Sequence, residues 1–352
     1  MKVVSKKGSL KAGMIVWVLI ALSGAVFFHS GRKASAEVLT TKTWNGGGVT
    51  NNWSEAANWS GGTVPAAGDD VVFDATSTKN ATIDVDINVG SIFIASGYTG
   101  TITQLNAASV QTNGCSGRPC YRQDGGTFAG STNTITLNSS GFGGIEMSGG
   151  VFNGGSGDML LAGASSTNPG LSLSGGVFTS TSGNLTTAGS IHVGGTFEHN
   201  GGTVTLTADD QSQVVTSGFN PPIAFNNLNV DLADGASLLI GRLIVEGDLA
   251  LNDGSLSQNG STMEARGGLT ISPNFDGGNI TLELGPAGVP RTFTFATGLN
   301  YPKIVLNDPN LTVNTSGSGT LVLPHQLEIR NGTFNQGNVD LSITPLNIGG
   351  DA

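Results

Sequence analysis

The chain repeats its apolar pattern at a fixed interval, which restricts it to architectures built by stacking. Asn200-Gly201-Gly202-Thr203-Val204-Thr205-Leu206 returns as Asp276-Gly277-Gly278-Asn279-Ile280-Thr281-Leu282, at an offset of 276 − 200 = 76. The same offset carries Thr216 onto Thr292, Phe219 onto Phe295, Ile223 onto Leu299, Phe225 onto Tyr301, Leu228 onto Ile304 and Val230 onto Leu306. Few of these residues are identical, yet the apolar positions keep register without a gap. Self-similarity at a fixed period marks a quasi-one-dimensional fold in which each unit contacts mainly its neighbours.

A shorter rhythm lies inside the longer one. Gly-Gly followed by Thr or Val and then Phe ends at Phe128, Phe152, Phe178 and Phe197, with variants at Asp253-Gly254-Ser255-Leu256 and Asn331-Gly332-Thr333-Phe334. The second glycines, Gly126, Gly150, Gly176 and Gly195, are 24, 26 and 19 residues apart (150 − 126, 176 − 150, 195 − 176). That is one coil of about three short strands and three turns. The 76-residue unit is then expected to hold three or four coils, and its recurring Phe to form an internal ladder. At roughly 22 residues per coil, the chain after residue 36 makes about 14 coils with rungs ~4.8 Å apart.

Composition agrees with a turn-rich β protein. Of 352 residues 55 are Gly, only 11% are charged, and the apolar share is 38%. Disordered chains have few β-branched residues and a high net charge, unlike this one. Glycine supplies the left-handed corners that turn the chain at each coil.

Residues 1–36 differ from the rest. Lys2, Lys6, Lys7 and Lys11 precede an apolar run from Ala12 to Phe28, and Ala34-Ser35-Ala36 follows. This is the layout of a signal peptide cleaved after Ala36; Arg32 and Lys33 behind the long apolar run leave an uncleaved anchor as the alternative. Either way the body of the chain is expected to be exported, to the cell surface or the medium. Residues 1–36 hold six of the 15 basic residues and none of the 25 acidic ones, so the remainder carries 9 − 25 = −16. Such a surface repels nucleic acid and anionic lipid. Membrane contact is expected only through the N-terminal segment or a module beyond Ala352.

Cys115 and Cys120, in Cys-Ser-Gly-Arg-Pro-Cys, read as a disulfide clipping one loop, since zinc would need two further ligands that are not nearby in sequence. Residues 37–82 hold Trp44, Trp53 and Trp59 and read as an N-terminal cap; 83–352 read as the repeats. The tryptophans are expected to plug the open end of the first coil rather than stack on sugar rings. Ile83-Asp84-Val85-Asp86-Ile87-Asn88-Val89 reads as one period-2 strand with Asp84 and Asp86 on its wet face. The repeats are still cycling at Asn347-Ile348-Gly349-Gly350-Asp351-Ala352, which reads as a product that continues further.

Trp53, Asn58-Trp59, Gly61, Pro65, Gly68-Asp69, Val71 and Phe73-Asp74, followed by the Gly-Gly-Thr/Val-Phe coils and Phe225-Asn226-Asn227-Leu228-Asn229-Val230, resemble bacterial surface proteins of the β-helix type. These include autotransporter-like passengers and repeat-rich adhesins. The resemblance implies an all-β fold: a right-handed, single-stranded parallel β-helix (a pectin-lyase-like solenoid) with an N-terminal aromatic cap. It implies a role in adhesion or as an extracellular scaffold; the chain itself reads as non-catalytic, with extracellular glycans or matrix as the expected partners.

The rival reading is a polysaccharide lyase or glycoside hydrolase of the same fold. Asp84 and Asp86 are the best carboxylate pair for it, two residues apart and so roughly 6.6–7 Å apart on a strand. Wet-face charges explain them more simply. The same applies to Asp209-Asp210, Asp231, Asp234, Glu246 and Asp248. His192, His199 and His325 have no metalloprotease spacing, and neither a Gly-x-Ser-x-Gly elbow nor a phosphate loop is present. Gly154-Gly155-Ser156-Gly157-Asp158 lacks the calcium nonapeptide pattern, so no cofactor is expected beyond adventitious calcium at acidic turns.

Overall fold

The computed structural model describes residues 40–348 except 117–118, 141–143, 163–168, 208–212, 218–221, 234–236, 258–260 and 344–345. The proposed signal segment and its cleavage after Ala36 lie outside the described residues, as do Asp209, Asp210 and Asp234.

Each coil is three short strands joined by three corners. Within a strand the side chains alternate, as in Ile145–Met147, where Ile145 and Met147 are buried and Glu146 points out. A single strand has no hydrogen-bond partner in its own coil, so its backbone groups pair with the coils above and below. All the ladders joining the strands are parallel, and the stack is a β-solenoid of about 11 turns. Among the described residues there is no α-helix, and no helix is long and apolar enough to cross a membrane.

The first face runs without a break from Thr41–Thr43 through Asp70–Phe73, Ser91–Ile94, Tyr121–Gln123, Ile145–Met147 and onward to Phe275–Gly278. The second face begins with Ala81–Ile83, Thr101–Gln104 and Thr127–Ala129 and continues to Thr196–Glu198, after which Ile223–Phe225 starts a second sheet in the same position of the coil. The third face contains Ile87–Val89, Val110–Ser116 and Ile135–Ser140 and ends at Leu269–Ile271. Coils vary in length. First-face strands begin at Asp70, Ser91, Tyr121 and Ile145, which are 21, 30 and 24 residues apart (91 − 70, 121 − 91, 145 − 121). Loops at the corners absorb the difference, so there are fewer turns than the 14 that a uniform 22-residue coil requires.

The Gly-Gly-x-Phe motif is a second-face signature. Phe128, Phe152, Phe178 and Phe197 occupy one position in successive rungs. Their rings stack at 4.9, 5.0 and 5.7 Å, with planes 8°, 8° and 24° apart. Gly126, Gly150 and Gly176 take φ of 58°, 75° and 77°, turning the first face into the second. The variants do not share that position. Leu256 lies on the first face and Phe334 pairs with Val313 on the third.

The 76-residue offset likewise does not superpose equivalent rungs. Thr203–Leu206 is a third-face strand, whereas Thr281 and Leu282, onto which the offset carries Thr205 and Leu206, belong to the second. Leu228 on the third face maps onto Ile304 on the second. All three faces alternate inward apolar with outward polar residues, so a shift by one face preserves the pattern while changing the place.

Trp44, Trp53 and Trp59 are at most 1% exposed and pack with Phe73 inside the first described turn. Trp44 and Trp53 meet Trp59 edge-on at 5.1 and 4.5 Å; the Trp44 indole N–H donates to Lys79 O and that of Trp59 to Trp53 O. Buried Asn58 holds the overlying loop. Its Oδ1 accepts from Gly48 N, and its Nδ2 donates to Thr50 O and Asn52 O. The Lys79 ammonium closes the loop by donating to Gly46 O, Gly48 O and Thr50 O.

Near the other end of the described stack, Arg291 acts as an internal rivet. It donates to Asp308 Oδ2 at 3.1 Å, to Ala265 O and Gly267 O, and to Gly285 O, tying neighbouring turns together. The Asp308 side chain is completely buried. Burial pushes its carboxyl up, but hydrogen bonds from Asn310 N, Ala287 N and Arg291 outweigh that and hold it below the usual value. The third face is interrupted here. No ladder joins Leu269–Ile271 to Arg291–Ala296.

Candidate functional sites on the outer faces

The corner acids proposed for chemistry serve the fold. Asp84 and Asp86 do not share a strand. The chain turns between Ala81–Ile83 on the second face and Ile87–Val89 on the third, leaving Val85 outside and 41% exposed. Alternation continues through the corner in sequence, which is why it reads as one strand. Asp84 Oδ1 accepts from Ser54 N at 3.0 Å, and Asp86 Oδ1 accepts from Ser109 N and Oγ at 2.7 Å. Hydrogen bonds from Ser109 hold the Asp86 carboxyl below its usual range.

The same bond recurs along this corner. Asp158 Oδ1 accepts from Asn184 N, Asn227 Oδ1 from Asp248 N, and Asp248 Oδ1 from Gly268 N. A corner amide lacks a strand partner, and an Asp or Asn one turn below supplies it. Glu246 is paired through Arg266, which also binds Glu264, both at 2.8 Å. His192 points outward from the first face, whereas His199 follows the second and accepts from Gly201 N. Among the described residues no group of three or more His, Cys, Asp or Glu could hold a metal ion.

Two features of the outer surface have the form of binding sites. The first is a flat column up the centre of the third face: Asn88, Gln111, Thr136, Leu160, Thr186, Thr205, Asn229, Ala250 and Thr270. It carries no charge over nine rungs. Neighbouring amides and hydroxyls bond one another, as in Thr205 Oγ1 to Asn184 Oδ1 at 2.8 Å and Asn252 Nδ2 to Asn229 Oδ1 at 2.7 Å. These bonds fix side chains that would otherwise lose rotamer freedom on contact with a partner.

The second is a groove of about 230 Å³ on the first face. Outward side chains of successive rungs form its floor: Val72, Phe93, Arg122 and Glu146 stand in one column. Asp70 and Ser91, bonded at 2.6 Å, lie beside them, and Pro119 forms a wall. Pro119 belongs to the loop between Cys115 and Cys120, whose sulfurs are at disulfide distance and whose Cα atoms are 5.3 Å apart. The Arg122 guanidinium sits 5.0 Å from the Phe93 ring centroid and binds Asp124 through Nε and Nη2.

Phe93, Arg122 and Glu146 stand apart from every carboxylate or aromatic group singled out from the sequence. A usable signal existed: Arg122 and Glu146 each lie four residues before the second glycine of a Gly-Gly-x-Phe motif, Gly126 and Gly150. Equal spacing from a corner places them on equivalent outward positions.

Comparison with family models, with curated proteins and with solved structures gives no match.

Proposed function

We propose that this chain is an exported, non-catalytic β-solenoid that adheres to extracellular glycan or matrix through its third face. The observation that supports this reading is the uncharged column from Asn88 to Thr270. Rungs are ~4.8 Å apart, and every rung except those of Leu160 and Ala250 presents a hydroxyl or an amide, so many weak direct and water-mediated contacts add along one line. On a protein of net charge −10 the column adds no carboxylate of its own. The basic, then apolar, then Ala-x-Ala start of the chain supports export.

A second reading, a polysaccharide-active enzyme, is favoured by one observation: the first-face groove carries both Arg122 and Glu146. One experiment separates the two. Beads carrying the full chain are presented to glycan- and matrix-coated surfaces, and new reducing ends are assayed on the same glycans. Adhesion without new ends, weakened at least tenfold by Thr186→Glu with Thr205→Glu, supports the scaffold. Catalytic release of new ends replaces it with the enzyme.

A further inference from the structure

We infer that the first-face groove is a subsite for a single neutral pyranose ring, a ligand class that rests on the reading of this chain as a glycan-contacting protein. The argument starts from unused hydrogen-bonding capacity. Arg122 spends Nε and Nη2 on Asp124, and no bond engages its Nη1 among the described residues. Glu146 is directly across from Arg122 in the ladder, yet its carboxylate has neither an ion pair nor a hydrogen bond among the described residues. Adjacent opposite charges normally pair. Here the arginine turns instead onto Phe93 and Asp124, leaving a donor and an acceptor side by side at one rung spacing.

A sugar ring matches that arrangement. Of two neighbouring hydroxyls, one donates to the Glu146 carboxylate while the other accepts from Arg122 Nη1. Ser91 and Asp70, bonded to each other, line the groove beside that pair, and Pro119 offers an apolar wall to a C–H face. At about 230 Å³ the groove is smaller than the roughly 300–1,000 Å³ of pockets for drug-sized ligands, a size that suits one ring. A zwitterion would also meet one cation and one anion. Its carboxylate, however, would enter a groove where Asp70 and Glu146 outnumber Arg122, on a protein of net negative charge.

The test is titration of the full chain with methyl glucopyranosides, galactopyranosides and mannopyranosides, read by ligand-observed NMR and calorimetry. At least one is expected to bind with a Kd of about 1 mM, the strength usual for so few heavy atoms. Arg122→Met and Glu146→Gln should each weaken it at least tenfold, with the circular dichroism spectrum unchanged. Thr205→Glu on the third face should leave it intact, and glycine should not compete. Absence of binding by all the methyl pyranosides, binding indifferent to both groove variants, or displacement by glycine overturns the inference. Bead adhesion through the third face is a separate readout. Adhesion with no pyranoside binding removes the subsite alone, whereas pyranoside binding without adhesion removes the third-face reading alone.

Discussion

Phe152 and Phe178 lie one rung apart with ring centroids 5.0 Å apart and planes only 8° from parallel. Parallel stacking without register shift places like side chains directly over one another here, so the second-face interior from Phe128 to Phe197 is a ladder of rings. Removing one rung leaves its neighbours a void on both sides. Phe152→Ala is therefore expected to cost about 3–5 kcal/mol, and Phe152→Leu distinctly less. Urea unfolding followed by circular dichroism checks this; equal midpoints for the alanine and leucine variants would count against the ladder.

The corner glycines should be equally intolerant for a different reason. Gly176 has φ 77°, and a Cβ there would meet the Gly149 carbonyl carbon at 2.8 Å. Gly176→Ala pays about 1–2 kcal/mol for the left-handed backbone before any displacement of the turn below. Gly241 has ordinary φ and open space around it, so Gly241→Ala is expected to be near neutral. A thermal-shift comparison of the two variants is sufficient.

Thr112 points into the core, and its hydroxyl has no hydrogen-bond partner among the described residues. A buried, unsatisfied hydroxyl costs about 1–3 kcal/mol. Thr112→Val keeps the shape and removes the polar atom, so stability is expected to rise by about 1 kcal/mol. A lower midpoint in urea would show that the hydroxyl has found a partner.

Breaking the Arg291–Asp308 pair should be costly because it leaves a charge buried alone. Asp308→Ala is expected to destabilise the C-terminal turns by about 3–5 kcal/mol. The pH dependence follows from the same pair. The Asp308 carboxyl is held below its ordinary value of 3.8 in the folded protein. A depressed folded pKa gives stability that is complete above the unfolded value and is lost as pH falls through the folded one. Native stability should thus decline below about pH 4, and the decline should be shallower in Asp308→Asn. Identical pH profiles for the two proteins would assign the acid transition to other groups, Asp69 among them, whose carboxyl is also held low by Thr40 and Ala66 despite its burial.

The parallel β-solenoid was legible in the chain because its main determinant is local. Short apolar alternations separated by glycine cannot satisfy their backbones alone, and Gly-Gly-x-Phe at intervals near one coil places Phe128 to Phe197 in register. Where a strand lies within the coil is not local. It depends on how far each corner bends, and Val85 shows the consequence: it keeps the alternation of Ile83 and Ile87 yet faces water. For the same reason the 76-residue repeat preserves the inward pattern while moving Leu206 and Leu282 to different faces. The groove was hidden more deeply. Phe93, Arg122 and Glu146 are 29 and 24 residues apart (122 − 93, 146 − 122), and only stacking brings them into one column. The amino-acid pattern alone determined that this chain would coil and stack its Gly-Gly-x-Phe rings; the corners, acting through the tertiary stack, decided which side chains meet outside, because outward neighbours come from different turns.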